Sequence, residues 1–550
     1  RSRLRRAAAG ALTALACVLV WFALVAPNRL SLLTPTAFVR IPVEGLILAG
    51  LVLVLPSRVK VAVAALAGVV LALVTIVKVL DMGFFEALGR PFNPVFDRGY
   101  FGSAAGLLGD SVGRRTAVLI LIAAAVLVVG VLVGTPWAVL RLTRVVDRHR
   151  TTSIRAVAAV GLVWSMSAAL GVQVAAHTPL VSRSALSLAT AQVRQVQTSL
   201  RDERAFTKAA GVDALRDTSP GNLLTGLRGK DVIVAFVESY GRVAVQDSAF
   251  SSRVDAVLDS GTKRLRAAGF SSKSAFLTSP TFGGISWLAH STLQSGLWIN
   301  NPLRYDYLLA SDRLTLTGAF HRAGWRTVDD VPSNTKSWPQ GKAFYHYDKV
   351  YDARNVGYKG PKFSYATMPD QYILSAFQRQ ELAERHAPVM AEIDLVSSHT
   401  PWAPLPQMVD PNQVGDGSVF DGMPGRGQSA ATVWRDRSQV RAAYGRSIEY
   451  SLNALISFVQ TSEDDNLVLV VLGDHQPATI VSGEFASRDV PITVIAHDRA
   501  VMDRVSGWGW QDGMRPGPNA PVWPMDAFRD RFLTAYGPQS SPPPAPFVKH

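Results

Sequence analysis

The sequence predicts two parts in series: a multi-pass α-helical membrane domain of about five spans, then an α/β domain. Three observations carry this reading. Up to about residue 178 the chain is dominated by Ala, Val, Leu and Gly, and beyond it Trp, Tyr, Pro and Asp become common. Five apolar segments, at roughly 7–27, 42–56, 59–80, 117–139 and 156–177, stand out in the first part. Most approach the ~20 residues that cross ~30 Å of hydrocarbon. In the second part, strand-like apolar runs alternate with helical patterns, which argues for a mostly parallel sheet covered on both faces. A chain of 550 residues is too long for one core. The expected divisions are a membrane domain at 1–180, a linker region at 181–228, the α/β domain at 229–537 and a Pro-rich tail at 538–550.

The first apolar run follows Arg1, Arg3, Arg5 and Arg6 like the n-region of a signal peptide. It is long, lacks a clear cleavage site and precedes further spans, so a retained anchor is expected. The second run is short and ends at Pro56, which suits a tilted span or a re-entrant piece. Arg58 and Lys60 lie between runs two and three, and Arg141, Arg144, Arg148, Arg150 and Arg155 between runs four and five. With the N-terminal arginines these mark one side as cytoplasmic. Five spans then leave the C-terminal domain outside the cytoplasm. The external loop at about 81–116 carries Phe84, Phe85, Phe92, Phe96, Tyr100 and Phe101, an aromatic set suited to the membrane interface. From 181 to 215 an Ala/Arg/Gln-rich stretch predicts a linker helix near the membrane surface.

Strands are expected at 231–237, 390–395, 466–472 and 491–496, with a further one after Trp325. Helices are expected at 251–268, 287–296, 369–385 and 440–461. The net charge of +14 comes with no basic-aromatic nucleic-acid motif, so it is read as attraction to anionic lipid headgroups. The single cysteine, Cys17, lies in the first apolar run, which excludes a disulfide framework and a Cys-rich zinc site.

Chemistry concentrates where the apolar strands end. One run ends in Glu238-Ser239-Tyr240-Gly241, another in Gly473-Asp474-His475-Gln476. Ligands of open α/β folds bind outside the carboxyl ends of strands. Glu238, Asp474 and His475 on one sheet edge suit a divalent metal, Mn²⁺ or Zn²⁺, with Mg²⁺ also compatible. A nucleophile is sought in Phe282-Gly283-Gly284-Ile285-Ser286-Trp287, where two glycines permit a tight turn into a helix. Ser286 at that helix start gains from the amides and dipole there. Thr281, Ser291 and Thr292 are rivals for the role, and a helix cap is the structural alternative.

These motifs, in this order, resemble the sulfatase-like branch of the alkaline phosphatase superfamily. With five N-terminal spans the chain is most similar to lipoteichoic acid synthase-type phosphoglycerol transferases. The resemblance implies one metal, usually Mn²⁺, held by Glu238, Ser286, Asp474 and His475. It places His399, in Ser397-Ser398-His399-Thr400-Pro401, on the substrate phosphate. It matches Trp338 to the family's headgroup tryptophan, with Gln340 where the family has arginine. Ser286 stands where these synthases usually carry threonine. No Cys-x-Pro-x-Arg motif is present, which argues against a formylglycine sulfatase.

The implied chemistry is two-step. Ser286 takes a phosphoglycerol-type group from an anionic phospholipid donor. An envelope glycan or polymer then accepts it. A phosphodiesterase or phosphatase would use the same site with water, and a phosphoethanolamine transferase is a further alternative.

Overall fold

The computed structural model describes residues 2–538 apart from His177, Asp247, 383–385 and Glu463. Beyond Pro538, the expected Pro-rich tail lies outside the described residues. The chain divides into two compact units, residues 1–109 with 113–201 and residues 110–112 with 202–550.

The first unit is helical. Its elements are α1 (Ser2–Val25), α2 (Val43–Val54), α3 (Ser57–Leu88), α4 (Tyr100–Val112), α5 (Arg114–Arg148) and α6 (Arg150–Ala169). A seventh helix, α7 (Ser184–Gly211), carries the chain into the second unit. Among these, α1, α3, α5 and α6 are long and apolar enough to cross a membrane. The run expected at 42–56 forms only the 12-residue α2, about 18 Å long at 1.5 Å per residue. Pro56 stops it, because proline disfavours α geometry in the residue before it. The expected 81–116 loop is largely ordered as helix. α3 runs on to Leu88, and Phe84, Phe92 and Phe101 pack together beside the Arg90–Asp97 ion pair.

The ends of these helices are tied by polar contacts. At one end Arg141 donates to the Ala9 carbonyl, Lys60 pairs with Asp147 and Arg150 donates to the Leu53 carbonyl. At the other, Lys78 donates to the Ala23 carbonyl, Arg40 to the Val25 carbonyl and Trp164 to the Ile41 carbonyl. α2 thus starts beside the end of α6 and finishes beside its beginning. Short as it is, it carries the chain from one end of the bundle to the other.

The second unit is built on a nine-stranded sheet. Its strands are β1 (Asp231–Val237), β2 (Ser271–Thr278), β3 (Arg326–Val331), β4 (Lys349–Asp352), β5 (Val389–Leu395), β6 (Leu467–Gly473), β7 (Asp489–Ala496), β8 (Gln511–Asp512) and β9 (Val522–Pro524). The order is β8-β2-β7-β6-β1-β5-β3-β4, with β9 also on β2. Five neighbours, β6-β1-β5-β3-β4, are parallel throughout. β7 runs antiparallel to both β6 and β2. β1 and β6 are buried along their whole length, as strands covered on both faces must be. Ile233, Ala235 and Val237 face one core with α8 (Ser251–Ala267) and the long helix Arg437–Thr461; Val232, Val234 and Phe236 face the other with α9 (Ser286–Ser295).

Candidate active site

β1 and β6 lie side by side in register, with Val237 opposite Gly473. Their ends therefore deliver Glu238 and Asp474 to one place. Gly473 is required sterically: a Cβ there would sit 1.9 Å from the Tyr240 carbonyl oxygen. Asp474 Oδ1 accepts from the backbone N–H groups of Ser239 and His475, each at 2.7 Å. That leaves Oδ2 buried with no hydrogen-bond partner. The loop after β2 is tied in as well, since Ser279 donates to the Asp474 carbonyl at 2.6 Å and Gly283 N–H to the Gln476 carbonyl at 2.8 Å.

That loop sets Ser286. Gly283 has φ +72°, and Ile285, a β-branched residue, has φ +69°. The left-handed region costs a non-glycine residue roughly 1–2 kcal/mol, so the turn before Ser286 holds strain. Ser286 is the first residue of α9, and its Oγ lies 2.8 Å from Glu238 Oε2 and 3.2 Å from His475 Nε2. His475 Nε2 is 3.3 Å from Glu238 Oε1 and 3.6 Å from Asp474 Oδ2. The other ring nitrogen, Nδ1, is 2.9 Å from the Gln476 carbonyl. A carbonyl only accepts, so Nδ1 carries a proton, and Nε2 is the nitrogen that faces the carboxylates.

Four of the residues singled out in the sequence are thus brought together: Glu238, Ser286, Asp474 and His475. The ligand atoms of Glu238, Asp474 and His475 all lie within 4.8 Å of one another. Burial pushes the Glu238 carboxyl up, but the His399 and His475 imidazoles outweigh it and leave it well below the usual range. Burial and the neighbouring Glu238 charge push Asp474 up to about 7. Burial lowers His475, yet Asp474 and Glu238 raise it to about 9. Two buried carboxylates, one with an orphaned oxygen, and the imidazole Nε2 form a donor set that fits a divalent cation.

His399 follows β5 in a loop fastened by Ser398, whose hydroxyl donates to the Glu238 carbonyl at 2.6 Å. Its ring stacks on Tyr365 at 3.6 Å. Asp370 holds the same loop, accepting from the Ser397 N–H at 2.8 Å and from the Ser451 hydroxyl at 2.5 Å. Trp338 is half-buried, just before the helix Pro339–Tyr345, with its ring 5.8 Å from that of Tyr345. Tyr345 in turn donates to Ser291 on α9 at 3.0 Å. Gln340 is exposed on that helix. Of the rival hydroxyls, Ser291 and Thr292 donate back to the α9 carbonyls of Trp287 and Leu288, and Thr281 lies beside Ser279.

The sequence reading missed a second cluster. His290, one turn beyond Ser286 on α9, has Nδ1 3.1 Å from Glu392 Oε1 and 3.4 Å from Asp394 Oδ1. These three also bring ligand atoms within 4.8 Å of one another. The available signal was two acids at alternate positions of an otherwise apolar strand, Ala391-Glu392-Ile393-Asp394-Leu395. Burial and the nearby carboxylates push Asp329 well up, and burial raises Asp394 to about 7.

No family model matches the chain, and no curated protein matches it. Among solved structures, the chain is similar to the lipoteichoic acid synthase LtaP from Listeria monocytogenes at 14% identity, covering 62% of this chain and 78% of that one with a TM-score of 0.36. It is similar to the integral membrane lipooligosaccharide phosphoethanolamine transferase A from Neisseria meningitidis at 11% identity, over 96% of this chain and 95% of that one, with a TM-score of 0.47. It is also similar to the Streptococcus pyogenes phosphoglycerol transferase GacH, solved with sn-glycerol-1-phosphate, at 12% identity over 61% of this chain and 90% of that one, with a TM-score of 0.33.

Proposed function

We propose that the chain is a membrane-anchored, metal-dependent phosphotransferase that moves a phosphoglycerol-type headgroup from a lipid donor to an envelope glycan or polymer through a covalent phospho-Ser286 intermediate. The observation that carries this reading is the placement of the Ser286 hydroxyl. It lies at the N-terminus of α9, 2.8 Å from Glu238 and 3.2 Å from His475 Nε2. A serine hydroxyl needs help to act as a nucleophile, and this one has a carboxylate partner and a metal-fitting donor set around it.

Glu238, Asp474, His475 and Ser286 Oγ would hold the cation, with Mn²⁺ preferred over Zn²⁺ or Mg²⁺. A bound divalent ion supplies charge that favours the alkoxide and the developing phosphate charge. The chain's own residues do the rest. The Ser286 hydroxyl donates toward Glu238 Oε2, so its proton leaves along that contact. Oγ attacks phosphorus, the bond from phosphorus to the lipid oxygen breaks, and the diacylglycerol departs as an alcohol once protonated. The α9 N-terminus favours the anion formed there. His399, in the loop that Ser398 fastens to Glu238, steadies the phosphate and gives the leaving oxygen its proton. In the second half, an acceptor hydroxyl gives its proton to His399 and attacks phosphorus, the bond from phosphorus to Ser286 Oγ breaks, and Oγ takes back the proton that left toward Glu238. Trp338 lines the headgroup side. The Arg and Lys cluster at one end of the helical unit supports a cytoplasmic assignment for that end, which puts the α/β unit outside the cytoplasm.

The test uses the full chain in liposomes that carry phosphatidylglycerol or phosphatidylethanolamine with a labelled headgroup. Diacylglycerol release from phosphatidylglycerol is expected, with label on the Ser286 peptide after acid quenching. Label transferred to a glycan acceptor supports the transferase; release of free glycerol phosphate alone replaces it with a hydrolase. Preference for phosphatidylethanolamine reassigns the headgroup. Label on a peptide without Ser286 overturns the mechanism.

A further inference from the structure

α9 carries a second set of donors, and it does not depend on the proposed reaction. His290 stands four residues, about one turn, beyond Ser286. Its ring stacks on Phe236 at 3.7 Å and 11°, which fixes the direction of Nδ1. Nδ1 points at Glu392 Oε1 and Asp394 Oδ1. On the far side of Glu392, Oε2 accepts from the Gln294 amide and from the Tyr347 hydroxyl. Those two donors hold the carboxylate so that Oε1 faces the cluster.

Strand register adds a third carboxylate. Asp329 on β3 is the in-register partner of Glu392 on β5, so both project from the same face. Asp329 is 2% exposed, and its Oδ2 has no hydrogen-bond partner. Asp394 Oδ1 likewise accepts no hydrogen bond. Among the described residues none of these three acids pairs with Lys or Arg. Glu392 and Asp394 thus meet the imidazole, and Asp329 lies beside Glu392 on the neighbouring strand. Burial disfavours the charged forms of Asp329 and Asp394, and a bound cation is one way to hold such acids as anions.

We propose that His290, Glu392 and Asp394, with Asp329 beside them, form a second divalent-cation site, separate from the Glu238–Asp474–His475 site. Its mixed imidazole and carboxylate donors suit Zn²⁺ or Mn²⁺. A cation there would clamp α9 to β5 and β3 and so fix the helix that presents Ser286.

The experiment counts metal. The full chain in detergent is stripped with chelator, loaded with MnCl₂ or ZnCl₂ alone, desalted and analysed by elemental mass spectrometry. Two equivalents per chain are expected for the wild type. Asp474→Ala, which cripples the first site but leaves the second intact, should keep one. Glu392→Gln and Asp394→Asn should each keep one, and Asp474→Ala combined with Glu392→Gln should keep none. Glu392→Gln retains an acceptor for Gln294 and Tyr347, and circular dichroism confirms folding. A wild type with one equivalent, or an Asp474→Ala chain with none, overturns the site and leaves His290 as an ion-pairing residue. Failure of phospholipid turnover alone counts against the proposed reaction and leaves this metal count unchanged.

Discussion

Ser286 begins α9, yet its hydroxyl caps nothing: the capping position is Ile285, and Ser286 Oγ turns to Glu238 and His475. The two roles differ in what a substitution does. Loss of a cap costs about 1 kcal/mol of stability, whereas loss of a nucleophile removes a reaction path. Ser286→Ala should therefore lower headgroup release by at least about a thousandfold. Its melting curve should stay within the shift expected for about 1 kcal/mol. Ser286→Thr keeps the hydroxyl and should retain measurable turnover. An alanine variant with more than a few per cent of wild-type rate would return Ser286 to a structural role. Asp370 makes a different residue-scale prediction. Burial raises its carboxyl from 3.8 to about 6, partly offset by the Ser451 and Ser397 hydrogen bonds. The folded chain thus keeps this proton up to about pH 6, and the unfolded chain loses it near pH 4. Stability from this group is present below pH 4 and is lost as pH rises to 6, by about 3 kcal/mol at most. Asp370→Asn removes the titration and keeps an acceptor for the Ser397 N–H, while its amide NH₂ can only donate to Ser451 Oγ, reversing that contact. Thermal melts of the variant should be flatter than wild type between pH 4 and 6; parallel slopes would refute the assignment.

At the scale of elements, Gly473 shows how little room the site leaves. Its missing Cβ is what lets the Tyr240 carbonyl approach the end of β6. Gly473→Ala must push backbone against backbone, which costs about 3 kcal/mol and separates Glu238 from Asp474. Metal retention should fall with stability. Gly425→Ala, where nothing lies within 4 Å, is the control and should be near neutral. An unchanged melting point for Gly473→Ala would mean the strand ends are looser than this contact implies. β1 and β6 were legible in the sequence because each is one unbroken apolar run ending in acid or imidazole. β2 was not, since Ser271-Ser-Lys-Ser opens it with polar residues that propensity reads as loop. β7 was found as a strand, but its antiparallel direction depends on how the 474–488 connection returns, which composition does not encode. The metal-fitting cluster was legible because its residues are adjacent to strand ends. The His290 cluster was not, because His290 meets Glu392 and Asp394 only through helix packing and Asp329 comes beside Glu392 only through strand register, neither of which a single sequence displays.

For the whole molecule, sidedness follows from which helix ends meet. Arg141 reaches Ala9 near the start of α1, Lys60 at the start of α3 meets Asp147 at the end of α5, and Arg150 at the start of α6 meets Leu53 at the end of α2. Those ends are one side of the bundle, and they carry the arginine excess. The end of α6 lies at the opposite side, beside Ile41, and from there the chain proceeds to α7 and the α/β unit. The parity holds even though α2 is only 12 residues long, because α2 itself connects the two ends. Placing the basic end in the cytoplasm therefore places the α/β unit outside. The lone native cysteine makes this easy to read, since Cys17→Ser gives a thiol-free chain. In that background, Phe485→Cys places a thiol at a position 89% exposed in the α/β unit, and His149→Cys places one in the exposed α5–α6 turn. A membrane-impermeant maleimide applied to intact cells should label Phe485→Cys and should label His149→Cys only after lysis. The reverse pattern would put the α/β unit in the cytoplasm, away from any envelope acceptor, and the proposed transfer reaction would fall with the topology.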